Sequence, residues 1–169
     1  TIDTAGAVRL VSPADHETKS SYSITVNARD ASNTTTKVVA ITVTDVNEAP
    51  VFTSGATGSV AENAATSTVV YTAAATDPET GAVSYSLSGT DAASFSINSS
   101  TGVVTLNASA NYEAKSSYSL SVIAADAASN TVSKAVTISV TNVNEAPTAA
   151  NFTSAGLTSS SAVSSATVG

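Results

Sequence analysis

The chain has 169 residues, no Cys, Met or Trp, one His and a net charge of −7. That balance argues against a nucleic-acid partner, which calls for a basic patch, and the missing Cys removes disulfides, thiolate metal sites and cysteine nucleophiles together. No run of about 18 apolar residues is present to span a bilayer, and an opening on TIDTAGAVRL without Met predicts a piece of something longer.

Residues 6–50 return at 102–147. GAVRL (6–10) matches GVVTL (102–106), KSSYSITVNARDASN (19–33) matches KSSYSLSVIAADAASN (115–130), and KVVAITVTDVNEAP (37–50) matches KAVTISVTNVNEAP (134–147). One inserted residue in the 127–129 loop moves the offset from 96 to 97. Identity of this extent marks a tandem repeat. It predicts the C-terminal half of one unit at 1–49, a complete unit at 50–146, and a linker or the first strands of a further segment at 147–169. The start of that last segment, FTSAGLTSS (152–160), is similar to FTSGATGSV (52–60).

Within the complete unit the apolar residues alternate. Tyr118, Leu120, Val122 and Ala124 interleave with Ser117, Ser119, Ser121 and Ile123, and Val136, Ile138 and Val140 interleave with Thr137, Ser139 and Thr141. Period two in Val- and Thr-rich text predicts strands with one buried face. Seven runs are expected, near 51–60, 67–75, 82–87, 94–98, 103–106, 117–125 and 132–142, parted by the turns DPETG, SGTDAAS, NSSTG and DAASN. Seven short strands in about a hundred residues predict an all-β fold of tandem immunoglobulin-like Greek-key β-sandwiches. The expected core is thin: small aliphatics with Tyr71, Tyr85, Phe95, Tyr112 and Tyr118.

The acids gather at strand ends and at the unit boundary rather than over the faces. Like charges that converge are costly unless a cation lies among them. Carboxylate, Asn carbonyl and backbone oxygens suit Ca²⁺, whereas Mg²⁺ demands stricter octahedral geometry and transition metals call for His or Cys.

These residues, in this order, resemble the cadherin repeat. VAEN (60–63) is similar to the family's X-Glu-Asn opening, and ATDPETG (75–81) to its Asp-x-Asp loop with Glu79 in the second place. ADHE (14–17) and ANYE (110–113) resemble its Asp-x-Glu motif, VNARD (26–30) and VIAAD (122–126) its strand-end Asp, and DVNEAP (45–50) its linker. The resemblance implies cadherin-type sandwiches with Ca²⁺ at the junctions between consecutive units. At the first junction it implies Asp15 and Glu17 from the upper unit, Asp45, Asn47 and Glu48 from the linker, and Asp77, Glu79 and Asp126 from the lower unit. At the second it implies Glu62, Glu113, Asn142, Asn144 and Glu145; there Asn111 and Asn142 replace acids, so binding is expected to be weaker. The linker is one residue shorter than the animal form, and the Ala-, Ser- and Thr-rich style is similar to that of giant bacterial surface adhesins.

The expected function is therefore a calcium-rigidified stalk or fibre of a secreted or cell-surface adhesin, with adjacent repeats of the same protein as partners and room for homotypic contacts. A filament subunit, in which 148–169 of one copy completes the half unit 1–49 of the next, is the alternative. An enzyme is not expected: His16, set between two acids, reads as a solvated loop histidine, and no G-x-S-x-G elbow or phosphate loop is present. Nor is a sugar-binding sandwich, which would need Trp or more Tyr to stack on sugars.

Overall fold

The structure, a computed structural model, describes residues 1–146. The expectation for the tail thus lies outside the described residues. Two strands come first, β1 (Ser21–Arg29) and β2 (Thr34–Thr42), paired antiparallel from Ser21↔Thr42 to Arg29↔Thr34. Nine follow: β3 (Val51–Phe52), β4 (Thr57–Ala61), β5 (Val69–Thr72), β6 (Ala75–Thr76), β7 (Ser84–Ser88), β8 (Phe95–Ile97), β9 (Val103–Leu106), β10 (Ser117–Ala125) and β11 (Thr131–Thr141). A single 3-10 turn, Ala92–Ser94, precedes β8.

The later strands form a sandwich. One layer has the order β4-β11-β10-β7; the other holds β5-β9-β8, with the short β3-β6 pair. All neighbours run antiparallel except β4 and β11, which are parallel from Thr137↔Thr57 to Thr141↔Ala61. Between the layers lie Val60, Val70, Tyr71, Phe95, Val104, Leu106, Val122, Val136 and Ile138. Leu120, Val122 and Ala124 are buried on one side of β10, as the alternation predicts, and Val136, Ile138 and Val140 on one side of β11. Burying such side chains is worth about 1.5–3 kcal/mol each before entropy is charged against it. Phe95 meets Tyr118 edge-on at 5.2 Å between ring centres.

Three expectations need correction. The run 51–60 is two strands: β3 pairs with β6, then the chain breaks at Thr53–Ala56, and β4 joins the opposite layer on β11. Tyr71 Oη fixes that crossing by donating to Gly55 O at 2.6 Å. The run 67–75 is also divided, into β5 and β6, with a register shift between Val69 and Tyr71. Tyr112 is not in the core; it is 38% exposed, because the 107–116 loop between β9 and β10 turns Ala110, not Tyr112, into the core.

Close packing explains one glycine. A Cβ at Gly58 would stand 2.2 Å from Val70 O and 2.7 Å from Ile138 Cδ1, so β4 can lie against β5 and β11 only without a side chain there.

Candidate metal site at the unit junction

The linker after β2 runs into the loops that top the sandwich, and Pro50 is fully buried at its end. Fixed φ and the missing N–H suit proline to this entry, since no ladder continues through it. Two contacts then hold the linker. Asn47 Nδ2 donates to Asp126 Oδ2 at 2.5 Å, and the Glu48 N–H donates to Glu79 Oε1 at 3.1 Å.

The receiving loops are shaped by their own acids. Asp77, buried after β6, accepts the N–H groups of Glu79 and Gly81 at Oδ1, at 2.9 and 3.3 Å. That turn sets Thr80 at φ 63°, a left-handed conformation rare for a β-branched residue. Asp126, buried after β10, takes the N–H of Asn130 at 2.8 Å and its side-chain amide at 2.9 Å, with Ser129 at φ 71°. Burial pushes the Asp126 carboxyl up, but the bonds from Asn47 and Asn130 outweigh it and hold the group below the usual range. Strained backbone at both loops is the kind that gathers at functional sites.

Carboxylates converge where linker and loops meet. Oxygens of Glu17, Glu48 and Glu79 lie within 4.8 Å of one another, and a second group, His16, Glu17 and Asp45, is equally close. The neighbouring Glu79 side chain pushes the Glu48 carboxyl up to about 7, aided by desolvation and by the charges of Glu17, Glu79 and Asp45. Glu79 is held below the usual range by the same side-chain contact and by the Glu48 N–H. Glu79 Oε2 is buried and has no hydrogen-bond partner among the described residues. An orphaned buried acceptor among crowded acids fits a cation, and a cluster dominated by oxygen donors fits a hard one.

Of the residues expected at this junction, Glu17, Asp45, Glu48 and Glu79 come together in those two groups. Asn47 and Asp126 bond to each other. Asp15 and Asp77 stand outside the groups; Asp15 Oδ1 is turned to the Thr18 N–H of its own turn, at 2.9 Å, which lowers its pKa. His16 is no free loop side chain: its Nδ1 lies 3.3 Å from Glu17 Oε1 and 3.7 Å from Asp45 Oδ2. Asn130 was missed by the sequence reading. The repeat carried its signal, because Asn33 holds the equivalent place in the first unit, where its backbone N–H donates to Asp30 Oδ1 at 2.6 Å.

The far end of the sandwich is organised differently. Glu62 is 2% exposed, with Oε1 taking the Val143 N–H at 2.7 Å and Oε2 the Tyr112 N–H at 2.9 Å. These bonds lower its pKa, that from Val143 most. Asn142 Nδ2 donates to Glu113 Oε1 at 3.2 Å, and Asn63 Nδ2 to Glu145 Oε1 at 2.7 Å, while Asn144 is exposed. Amide donors thus answer these carboxylates, and among the described residues no group of three acids forms here.

Comparison with known proteins places the fold. The cadherin domain model matches residues 56–141, just over half of the chain. Protocadherin-like wing polarity protein stan of Drosophila melanogaster is 42% identical over 94 residues, covering 51% of this chain and 3% of that protein. Protocadherin Fat 4 of Homo sapiens is 35% identical over 92 residues, or 50% of this chain and 2% of that protein. The chain thus spans a small fraction of these relatives. Among solved structures, extracellular cadherin domains 1–4 of Protocadherin Gamma B7 superpose with a TM-score of 0.60 at 25% identity, covering 85% of this chain and 38% of that one. Mouse Cadherin-23 EC22-24 gives 0.58 at 25% identity, with 79% and 46% covered. Cadherin domains are extracellular or cell-surface adhesion modules that typically bind Ca²⁺. The two-layer fold, the matched span and these relatives agree: the chain belongs to the cadherin domain family.

Proposed function

We propose that residues 1–146 are tandem calcium-binding repeats in the stalk of a secreted or cell-surface adhesin, with the linker 45–50 as a hinge stiffened by Ca²⁺. The observation that carries this reading is the convergence of Glu17, Glu48 and Glu79 around an unpartnered buried oxygen. Glu17, Asp45, Glu48 and Glu79 would hold the ion, with Asn47, Asp77, Asp126 and Asp15 close by. A bound divalent cation supplies charge neutralisation there. The four carboxylates come from three parts of the chain, Asp45 and Glu48 both from the linker, so their common neutralisation ties the upper unit, the linker and the lower unit together. Extracellular modules bind Ca²⁺ with dissociation constants of about 10⁻⁴–10⁻³ M. The hinge would stiffen outside the cell and slacken where calcium is scarce. Composition rich in Ala, Ser and Thr supports a bacterial parent.

At the second junction Glu62, Glu113, Asn142, Asn144 and Glu145 form the corresponding set, and its Asn donors favour weaker binding. Calorimetric calcium titration of the full chain, with Asp45→Ala and Asp77→Ala, tests the reading. Scattering with and without EDTA should register a more compact or more variable chain after chelation. Undiminished binding in both variants, or identical scattering curves, would overturn it.

The filament reading draws on one observation: among the described residues the outer edge of β2 has no partner strand, where β11 in the next unit carries β4. Register weighs against the tail as donor. Aligning 152–160 on 52–60 sets Thr158 in the place of Gly58, where no Cβ fits, and Ser160 in the place of buried Val60. The stalk reading is therefore preferred.

A further inference from the structure

The two repeats build the same corner and fill it with different side chains. In the first, Asp15 Oδ1 accepts the Thr18 N–H at 2.9 Å and Asp15 O accepts the Lys19 N–H at 2.9 Å. The Val43 N–H then reaches Ser20 O at 2.9 Å, which lays the start of the linker beside that turn. In the second, the same three bonds join Asn111 to Ala114, Asn111 to Lys115 and Val140 to Ser116, at 2.8, 3.0 and 2.9 Å. Glu17 and Glu113 hold equivalent places, but His16 and Asp45 stand where the second repeat has Tyr112 and Asn142.

That exchange alters the chemistry of the corner. Asn142 Nδ2 donates to Glu113 Oε1 at 3.2 Å, so an amide answers this carboxylate. Asp45 has no amide hydrogen to give and sets a second carboxylate near Glu17. An imidazole nitrogen faces both: His16 Nδ1 lies 3.3 Å from Glu17 Oε1 and 3.7 Å from Asp45 Oδ2. One ring proton cannot serve both oxygens, and 3.7 Å is too long for a hydrogen bond. The spacing suits an ion instead. Metal–ligand bonds of about 2.0–2.2 Å in a tetrahedron set neighbouring donors about 3.3–3.6 Å apart. A nitrogen with two carboxylate oxygens matches borderline ions, whereas Ca²⁺ takes oxygen throughout. Tetrahedral spacing favours Zn²⁺ over Cu²⁺, which prefers a tetragonal set.

We propose that His16, Glu17 and Asp45 form a site for a borderline divalent cation of the zinc class, with a fourth place left to water, and that this ion competes with calcium at the hinge. The second repeat, with Tyr112 and Asn142 in these places, lacks two of the three donors. Glu17 also belongs to the group with Glu48 and Glu79, so both ions draw on one carboxylate. All three zinc ligands lie in the upper unit and the linker. Zinc therefore withdraws Glu17 and Asp45 from calcium without engaging Glu79 of the lower unit, and loosens the hinge that calcium stiffens. The competition rests on the calcium reading; the zinc site does not.

The test titrates Zn²⁺ into the untagged 169-residue chain in calcium-free buffer, by calorimetry and by NMR of the imidazole. His16 is the only histidine, so its ring signals are unambiguous. They should shift on saturation, and Co²⁺ in place of Zn²⁺ should give the strong visible absorption of a tetrahedral site. His16→Tyr installs the residue that the second repeat carries, so folding should be kept. It should weaken zinc by about tenfold or more while calcium affinity stays within about twofold. Saturating zinc should weaken calcium binding to the wild-type chain by about tenfold. Equal zinc affinity in wild type and His16→Tyr, or unshifted ring signals, would mean an adventitious ion only and would overturn the site. Unchanged calcium affinity at saturating zinc would overturn the competition. Zinc binding that depends on His16 in a chain indifferent to calcium would uphold the site and overturn the calcium reading alone.

Discussion

Glu48 and Glu79 meet across the junction, the N–H of Glu48 donating to Oε1 of Glu79 at 3.1 Å, while Oε2 of Glu79 lies buried with no partner among the described residues. Glu79→Gln keeps the size and an acceptor for the Glu48 N–H but removes the charge. Calcium affinity should fall by about tenfold or more, because extracellular sites are tuned by the number of charged ligands. Calorimetry checks this. The midpoint of chemical unfolding in EDTA should shift little, since the residue is outside the core. Equal affinity in Gln and wild-type chains would remove Glu79 from the ligand set.

The raised pKa of Glu48 beside Glu79 gives the calcium-free junction a pH dependence of definite sign. Glu48 sits at about 7 against 4.5 for an unperturbed Glu, so the folded junction binds its proton more tightly than the unfolded chain does. The stabilising contribution is complete below pH 4.5 and is lost as pH rises through about 7. Without calcium, protease cleavage in the 45–50 linker should therefore quicken between pH 5 and 8. Glu48→Gln should flatten the profile. With calcium the trend should reverse, because a protonated Glu48 cannot serve as an anionic ligand.

Ile138 and Ile41 are the same residue in two settings, one buried and one half-exposed. Ile138→Ala should cost about 2–5 kcal/mol, the range for emptying a packed site. Ile41→Ala should cost under about 1.5 kcal/mol, because much of its surface is already wet. Urea unfolding of each variant decides the comparison.

Gly58→Ala should destabilise by about 1–3 kcal/mol or more, since the new methyl would stand 2.2 Å from a backbone carbonyl that cannot step aside. The companion Gly55→Ala has open space around its Cβ and should be nearly neutral in thermal unfolding.

How much of this was legible depended on how local the cause was. β10 fell at 117–125 as its alternation indicated, and β11 within a residue, because period two reports directly which face is dry. The convergence of Glu17, Glu48 and Glu79 was readable only as three motifs in order; their proximity depends on turns closed by Asp77 and Asp126. The break at Thr53–Ala56 could not be read. Gly55 was visible, but its role depends on a Tyr71 hydroxyl 16 residues away. Tyr112 misled because an aromatic in a β-rich chain is more often inside, and nothing local shows that the 107–116 loop buries Ala110 instead. The pairing of Asn142 with Glu113 was also hidden, since amide and carboxylate meet there across 29 residues.

The parallel seam between β4 and β11 has a mechanical consequence. It fastens a strand near the start of the unit to its final strand. Tension applied through the two flanking linkers pulls these neighbours past each other lengthwise, loading their backbone bonds together instead of one by one. Forced unfolding follows the barrier rather than the equilibrium. A module of modest thermodynamic stability built this way can still resist a steady drag.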